Sequence, residues 1–419
     1  MNDNHSDKEL VYRQRWLEPS FDAAIHDFPV VVLTGARQVG KSTLLQQAES
    51  VKSWRYITLD DYDIRRQADS DPHALWAGTD RIVIDEVQHS PRLLSAVKMA
   101  VDDKRGKVKF VLSGSANLLL MRRVSETLAG RAVYFTLYPM TVGETGGRPS
   151  VEILNLLFKG EAPAGGGIKK ESKEDHFQTI VRGFMPPLLS LASSSSVARW
   201  WQGYIATYLE RDLREISQID SLVDFRRVME ALALRSGQML NQTEVSRDTG
   251  ISQPTIHRYI NLLETTCLAE RLPAFSINRT KRLIKAPKFY WLDSGLASHL
   301  SGLFDYESLH KSKQIGALFE TFILHHLKAL SELLVPAARV YYWRTVTGRE
   351  VDFVIEHGKR LLAIEVKLSS TPKYSDIEGL RLFIQEYPET KLGVLLYDGD
   401  EIRWMDKKVV ALPWRLITG

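Results

Sequence analysis

Cysteine, long apolar runs and a signal-like start are scarce or absent in this sequence of 419 residues. The one cysteine, Cys267, excludes an internal disulfide framework and favours a reducing compartment. Apolar runs such as Val30 to Leu33 are far shorter than the ~20 residues that a membrane helix needs. The first residues are polar and do not resemble a secretory signal. We therefore expect a cytoplasmic protein without a membrane partner.

Neither sign of charge dominates, since 55 Lys and Arg oppose 51 Asp and Glu for a net charge of +4. The positive excess is local, because residues 221–290 hold eleven Lys and Arg against six Asp and Glu. Such an excess suits contact with a polyanion, although ordinary solvated surfaces carry as much. Hydrophobic residues make up 44% and charged residues 25% of the chain, as in folded globular proteins, and the length allows two to four domains.

The first 145 residues alternate short β-branched runs with amphipathic stretches. We expect strands at residues 30–34, 56–60, 81–85, 109–113 and 133–137, with helices such as 41–50 and 91–102 between them. Strands that alternate with helices form a parallel sheet covered on both faces. The sequence therefore predicts an α/β domain.

A phosphate-binding loop is predicted directly after the first strand. The segment from Gly35 to Ser42 fits the pattern G-x-x-x-x-G-K-[ST] between a strand and a helix, which is the context that this pattern requires. Its backbone N–H groups and the following helix N-terminus attract phosphate, Lys41 reaches the β- and γ-phosphates, and Ser42 holds Mg²⁺. The predicted nucleotide-binding residues of this loop are Gly35, Ala36, Arg37, Gln38, Val39, Gly40, Lys41, Ser42 and Thr43.

Acidic and hydroxyl side chains follow two later strands. Asp85 ends the third predicted strand and is expected to hold Mg²⁺, while Glu86 is placed to polarise the attacking water. Ser113 or Ser115, after the next strand, is expected to contact the γ-phosphate or the water, and Asn117 is a weaker candidate. The pattern thus predicts hydrolysis of ATP with Mg²⁺.

A helix-turn-helix is predicted in the basic middle of the chain. Gly250 is suited to end a short helix, and Ser252 to cap the helix of residues 253–266. A basic hairpin with Arg279, Lys281, Arg282 and Lys285 would follow it as a wing. Two interpretations stay open: contact with DNA, mostly through phosphates, or packing against protein.

Two carboxylates and a lysine are expected on one face of a C-terminal hairpin. If His357 and Gly358 form its loop, Asp352 lies opposite Ala363, and side-chain alternation places Asp352, Glu365 and Lys367 on a shared face. Such a face can bind Mg²⁺ and activate water for phosphodiester cleavage. The alternative is an ordinary cross-strand ion pair.

These motifs resemble an AAA+ ATPase of the bacterial and archaeal group that carries a C-terminal domain related to PD-(D/E)xK nucleases. The resemblance implies that Arg131, just before the fifth strand, acts in trans as an arginine finger; Arg122 and Arg123 are rivals, and a structural salt bridge is the alternative. It offers Arg211 and Arg182 for the sensor-2 arginine. It also makes Asp352, Glu365 and Lys367 the nuclease motif, although Val351 replaces its proline, and adds Glu320 as a metal ligand.

The resulting expectation is an α/β protein in four parts. These are an AAA+ core at residues 1–145, a linker and helical lid at 146–222, a winged helix at 223–292 and a nuclease-like domain at 293–419. We expect a homo-oligomeric ring that hydrolyses ATP with Mg²⁺ and engages DNA, with DNA cleavage left open. The competing hypothesis is an ATP-gated switch or adaptor whose C-terminal domain is a catalytically silent docking module.

Overall fold

The structure is a computed structural model that describes most of the chain. The described residues are 12–90, 92–103, 108–115, 128–150, 152–163, 173–207, 219, 221–278, 280, 282 and 285–418. Among these residues, no helix combines the length and the apolar character needed to cross a membrane.

A five-stranded parallel sheet forms the N-terminal part, in the order β2-β3-β4-β1-β5. Its strands are β1 (Val30–Gly35), β2 (Arg55–Thr58), β3 (Arg81–Asp85), β4 (Lys109–Ser115) and β5 (Ala132–Thr136). The helices of this part are α1 (Glu18–Asp27), α2 (Lys41–Gln47), α3 (Tyr62–Ser70), α4 (Leu93–Asp103) and α5 (Val142–Thr145). Strand β1 is buried along its whole length, as its continuous apolar run requires. The predicted α/β alternation is confirmed.

Among the described residues, three α-helices follow, namely α6 (Ile153–Lys159), α7 (Lys173–Arg182) and α8 (Ser194–Tyr204). Ser193 caps α8, because its side chain accepts a hydrogen bond from the Ser196 N–H. The hydroxyl of Tyr204, on the last turn of α8, donates to the Arg37 carbonyl at 3.2 Å. Helix α8 therefore packs against the phosphate-binding loop.

The part of the middle of the chain that the structure describes combines three α-helices with a three-stranded antiparallel sheet. They are α9 (Leu222–Ala233), β6 (Gln238–Met239), α10 (Gln242–Thr249), α11 (Gln253–Thr265), β7 (Ala269–Leu272) and β8 (Lys288–Trp291), with sheet order β6-β8-β7. Gly250 ends α10 at φ +73°, and Ser252 caps α11 through the Thr255 N–H. We call residues 222–291 the middle unit.

A six-stranded mixed sheet forms the C-terminal part, in the order β13-β14-β12-β11-β10-β9. Its strands are β9 (Arg339–Arg344), β10 (Glu350–His357), β11 (Arg360–Lys367), β12 (Gly393–Tyr397), β13 (Arg403–Asp406) and β14 (Val409–Pro413). Its helices are α12 (Ser294–Leu300), α13 (Tyr306–Lys311), α14 (Ile315–Glu332), α15 (Glu378–Glu386) and α16 (Arg415–Thr418).

The parts share their packing. One cluster of buried hydrophobic side chains extends from Trp16 to Ile417. After β7, the chain also joins the C-terminal sheet: the Phe275 N–H donates to the Tyr342 carbonyl at 2.6 Å, and the Tyr342 N–H donates to the Pro273 carbonyl at 3.1 Å. The middle unit and the C-terminal part are therefore one packed body.

Candidate active site

The phosphate-binding loop owes its path to two glycines and two external anchors. A Cβ on Gly35 would lie 2.4 Å from the Leu137 carbonyl oxygen, and Gly40 has φ +98°, which favours glycine. The guanidinium of Arg15 donates to the Val39 carbonyl at 3.0 Å and pairs with Glu144 at 3.1 Å. Arg15 and Tyr204 thus hold the loop from two sides.

The side chains of the phosphate-binding loop differ in their exposure to solvent. Lys41 is buried, Ser42 is half-buried, and Arg37, Gln38 and Thr43 are exposed. The Lys41 ammonium donates to the carbonyls of Gly35 and Ala36 at 3.0 and 2.9 Å. Burial lowers the pKa of Lys41, while Glu86 and Asp85 raise it. The cationic group therefore lies within the loop that is predicted to hold phosphates.

The two predicted metal ligands lie close together. The Tyr56 hydroxyl donates to Asp85 Oδ2 at 2.7 Å, and the neighbouring Ser42 side chain lowers the pKa of Tyr56. Burial, together with the Asp85 carboxylate, raises the pKa of Tyr56. The Ser42 hydroxyl and the Asp85 carboxylate therefore both neighbour Tyr56, and they form an oxygen donor pair that suits Mg²⁺. Reasoning from the sequence missed Tyr56, because it lies in a different strand, β2.

Glu86 has an unusual backbone and a side-chain partner. Its φ is +55°, a left-handed conformation that is uncommon and costly for a glutamate, and such residues cluster at functional sites. The Gln88 amide donates to the Glu86 carboxylate and, at 3.0 Å, to the Ser115 hydroxyl. Gln88 thus links the ends of β3 and β4. Its position two residues after Glu86 was the signal available in the sequence.

Ser113 lies beside this group at the end of β4. Its side chain is fully buried, and its hydroxyl has no hydrogen-bond partner among the described residues. Burial of a polar group without a partner is costly. A ligand at the carboxyl end of the sheet would supply that partner, so Ser113 fits the nucleotide-contacting role predicted for it. Ser115 instead contacts Gln88.

Two of the arginines proposed for ATP hydrolysis, Arg131 and Arg182, lie within the described residues. Arg131 forms two hydrogen bonds with Asp102, of 2.6 and 3.0 Å, at the amino-terminal edge of the sheet. It thus makes the salt bridge named as the alternative to a finger role. Arg182 donates to the carbonyls of Leu188 and Leu191. Four other predicted positions lie outside the described residues: Asn117, Arg122, Arg123 and Arg211.

The C-terminal hairpin differs from its predicted register. His357 pairs with Arg360 and Phe353 with Ile364, so Gly358 and Lys359 form the loop and the predicted pairing of Asp352 with Ala363 is wrong. The actual loop begins with Gly358 at φ +64°, a conformation that favours glycine. The register moves by two residues, and a shift of two leaves the inward and outward faces unchanged.

Asp352, Glu365 and Lys367 do lie together. Asp352 Oδ2 accepts a hydrogen bond from the Val366 N–H at 2.8 Å, and Lys367 donates to Glu365 Oε1 at 2.7 Å. The second Glu365 oxygen, Oε2, is buried without a hydrogen-bond partner among the described residues. Burial raises the pKa of both Asp352 and Glu365, and the nearby positive charge of Lys367 lowers the two values only in part.

A lysine from the middle unit enters this region. Lys288, on strand β8, lies 3.1 Å from Glu320 Oε1 and 3.9 Å from Asp352 Oδ1, and also pairs with Glu350. The Tyr290 hydroxyl donates to Glu320 as well. Burial is the largest influence on Glu320 and raises its pKa to about 7. In the described part of the chain, no group of three or more His, Cys, Asp or Glu side chains is placed to hold a metal ion.

Two of the predicted wing cations contact the C-terminal sheet. Arg282 forms two hydrogen bonds of 2.9 Å with Glu356 and one with the Tyr341 hydroxyl, and Lys285 donates to the Arg344 carbonyl at 3.2 Å. Arg279 and Lys281 lie outside the described residues. Arg282 is therefore engaged by the C-terminal sheet, whereas Lys285 remains exposed to solvent beside its hydrogen bond to a backbone carbonyl.

Comparison with known families agrees with the sheet and loop. A profile described as "AAA domain" matches residues 27–146. Residues 173–307 match "Domain of unknown function (DUF8612)", and residues 315–417 match "Domain of unknown function (DUF4143)". The N-terminal part, with its parallel five-stranded sheet and P-loop, is thus an ATPase-like P-loop domain.

Whole-chain relatives define the family. The chain is 31% identical over 392 residues to an uncharacterized protein of Mycobacterium tuberculosis, covering 93% of this chain and 81% of that protein. An uncharacterized protein of Mycobacterium bovis has the same identity and coverage. The chain therefore belongs to the family of these mycobacterial proteins. Among solved structures, the Walker-type ATPase PABY2304 of Pyrococcus abyssi is 15% identical to this chain, with a TM-score of 0.44. The match covers 68% of this chain and 94% of the PABY2304 chain.

Proposed function

We propose that this protein hydrolyses ATP with Mg²⁺ in the P-loop domain. The observation that carries the proposal is the convergence of Lys41, Asp85, Glu86 and Ser113 at the carboxyl ends of β1, β3 and β4. Parallel sheets of this kind bind ligands at that edge. When bound with ATP, Mg²⁺ neutralises charge on the phosphate oxygens.

Each side chain of the P-loop site has a separate role in ATP hydrolysis. Lys41 exchanges its two carbonyl partners for phosphate oxygens when nucleotide enters. Ser42 and Asp85 would hold the metal ion, with the Asp85 carboxylate giving up its hydrogen bond from Tyr56. Glu86 orients the attacking water, and Gln88 holds the Glu86 carboxylate in position. The buried Ser113 hydroxyl donates to a phosphate oxygen.

Steady-state ATP turnover tests the proposal. Glu86→Gln keeps the shape of the side chain and should retain ATP binding, but it should lower kcat by at least about a hundredfold. Lys41→Ala should lose ATP binding. Glu49→Gln is a matched control, because Glu49 lies just beyond α2 and its side chain pairs with Lys52 at the surface. Wild-type turnover in Glu86→Gln would remove Glu86 from the mechanism.

Assembly and DNA contact extend the proposal. Arg131 lies at the sheet edge opposite the P-loop, a position that suits action on a neighbouring protomer and supports a homo-oligomeric ring. Helices α10 and α11, with the sheet β6-β8-β7, resemble a winged helix. Gln253, His257 and Arg258 are exposed along α11, and this surface supports phosphate contact with DNA.

The C-terminal part favours the second hypothesis, an ATP-gated switch, over cleavage. The carboxylates Glu320, Glu350 and Asp352 already have the Lys288 ammonium as their cation. Cleavage of a phosphodiester would require a metal ion among them. We infer that the C-terminal part is catalytically silent in this conformation. An assay for Mg²⁺-dependent nicking of plasmid DNA, with and without ATP, tests this statement: nicking that Asp352→Asn abolishes would contradict it.

A further inference from the structure

A lysine occupies the acidic cluster between the middle unit and the C-terminal part. We define the acidic cluster as Glu320 on α14, Glu350 and Asp352 on β10, and Glu365 on β11. Lys288 comes from strand β8 of the other sheet, and its side chain is only 4% exposed. Nothing in the hydrophobic pattern of β8 requires a charge there, since Phe289, Tyr290 and Trp291 are all fully buried.

The contacts of Lys288 are those of a coordinated cation. Its ammonium lies 3.1 Å from Glu320 Oε1 and 3.9 Å from Asp352 Oδ1, pairs with Glu350, and is 3.5 Å from the Tyr290 hydroxyl. Moving a charged lysine out of water is unfavourable, and only good pairing offsets that cost. Several oxygens from two structural units meet at this single charge. Three of the four carboxylates of the cluster are therefore already paired with this ammonium.

Glu365 provides an independent observation. It is only 8% exposed, and its Oε2 atom has no hydrogen-bond partner among the described residues. The other oxygen, Oε1, accepts a hydrogen bond from Lys367 at 2.7 Å. The charge of Glu365 interacts with those of Asp352 and Glu320, so the unpartnered Oε2 belongs to the same cluster. A buried carboxylate oxygen without a partner indicates that the cluster has capacity for a further cation contact.

We propose that Lys288 is the resident cation of the acidic cluster, and that the cluster accepts a divalent metal ion only when this ammonium is withdrawn or removed. The lysine then has two effects. It locks the middle unit onto the C-terminal part, and it keeps the carboxylates from binding Mg²⁺ or Mn²⁺. Withdrawal of strand β8 would end both effects at once: the middle unit would no longer be held to the C-terminal part, and the carboxylates would be free to bind a metal ion. This inference does not depend on whether the P-loop hydrolyses ATP.

Binding of Mn²⁺ to nucleotide-free full-length protein tests the proposal. All proteins carry Asp85→Asn, which removes the P-loop carboxylate, and free Mn²⁺ is counted by electron paramagnetic resonance. The parent and its Lys288→Arg variant should show no Mn²⁺ site in the acidic cluster. Lys288→Met should gain one site that binds at least about tenfold more tightly than any in the parent. Adding Asp352→Asn should remove that site again.

Two results would overturn the proposal. One is a Mn²⁺ site in the parent that Asp352→Asn abolishes, because the lysine would then not exclude the metal. The other is a folded Lys288→Met protein without a new site. If Lys288→Met unfolds because its carboxylates lose their partner, Lys288→Met with Glu350→Gln removes the lysine and one acid together. Mn²⁺ should raise the melting temperature of Lys288→Met and of Lys288→Met with Glu350→Gln, and it should leave that of the parent unchanged. If Mn²⁺ raises the melting temperature of neither variant, the proposal is contradicted.

Discussion

The Glu332 carboxylate, on the last turn of α14, accepts a hydrogen bond of 3.1 Å from the Thr136 N–H at the end of β5. On the same helix, Lys328 pairs with Glu270 of β7 at 3.0 Å and lies 5.9 Å from the centre of the Tyr138 ring. Glu320 precedes Glu332 by twelve residues, or about 18 Å along the helix axis. Helix α14 therefore joins the edge of the ATPase sheet to the acidic cluster.

Gln88 should be a positioning residue for hydrolysis. Gln88→Ala removes the amide that holds Glu86 and should lower kcat by about tenfold, with little change in the affinity for ATP. Ser113→Ala should also slow turnover, because it deletes the buried hydroxyl assigned to a phosphate oxygen. Gln67→Ala, on the exposed face of α3, is the matched control. Equal kcat values for Gln88→Ala and Gln67→Ala would contradict the role of Gln88.

Arg131 can be tested by complementation. If it acts in trans, mixing inactive Arg131→Ala with inactive Glu86→Gln should restore part of the ATP turnover, because some interfaces would contain both intact groups. The variant Asp102→Ala breaks the same ion pair and keeps the guanidinium. If Arg131 acts as an arginine finger, Asp102→Ala should therefore retain ATP turnover. If only the salt bridge matters, Asp102→Ala should lose turnover to the same extent as Arg131→Ala. Co-assembly of the mixed proteins is verified by size measurement with ATP.

DNA binding, if it occurs through the middle unit, should depend on α10 and α11. Replacing Arg247 and Arg258 with Ala should weaken binding and flatten its dependence on salt, by roughly one unit of slope for each DNA phosphate that is no longer neutralised. Arg282→Ala should leave the slope unchanged and destabilise the fold, because it leaves Glu356 without its bidentate partner. The slopes come from fluorescence anisotropy at several salt concentrations. A reduced slope for Arg282→Ala alone would overturn this assignment.

Acidification should weaken the contact between α14 and the ATPase domain. His326 Nε2 accepts a hydrogen bond from the Val142 N–H at 3.0 Å, and its Nδ1 contacts the Phe322 carbonyl, so the ring is held neutral. Burial lowers the pKa of His326 well below 6.5 and that of neighbouring His325 to about 4. Because these folded-state values are below the unfolded value, the unfolded chain binds more protons as the pH falls.

The free energy of unfolding should therefore fall as the pH drops below about 6.5, and the His325 contribution should be lost by about pH 4. The slope is roughly 1.4 kcal/mol per pH unit for each histidine. Urea titrations at pH 7.5 and 5 measure it. His326→Gln keeps a hydrogen-bond acceptor but cannot titrate, so its loss of stability should be smaller. Identical losses in the variant and the wild type would exclude His326 as the cause.

Local patterns predict the ATPase domain. The strand that precedes Gly35, the helix that starts at Lys41 and the acids after β3 are all set by neighbours in the sequence, so their positions could be predicted. The hairpin loop was misplaced because His357-Gly358 and Gly358-Lys359 are both reasonable two-residue turns. The choice between the two turns depends on how β10 pairs with β9 and how β11 pairs with β12. Those pairings involve distant parts of the chain, so the sequence around the turn does not determine them.

Long-range contacts could not be predicted in the same way. Lys288 lies 32 positions before Glu320 and is on strand β8, whereas Glu320 is on helix α14, so no spacing rule connects the two residues. Arg282 looked like a solvent-facing cation because it lies in a basic run. Its actual partner, Glu356, comes from β10, and only the docking of the middle unit brings them together.

The joining of residues 273–275 to strand β9 limits how this chain can be divided. Phe275 packs in the C-terminal core with Tyr341, Phe383 and Tyr387. A fragment that begins after Trp291 would lose this aromatic side chain and the strand that carries Lys288, and would expose an apolar face. The C-terminal part is consequently not a portable module: gene fusion or recombination that moved it to another protein would have to carry the segment from Pro273 to Trp291 as well.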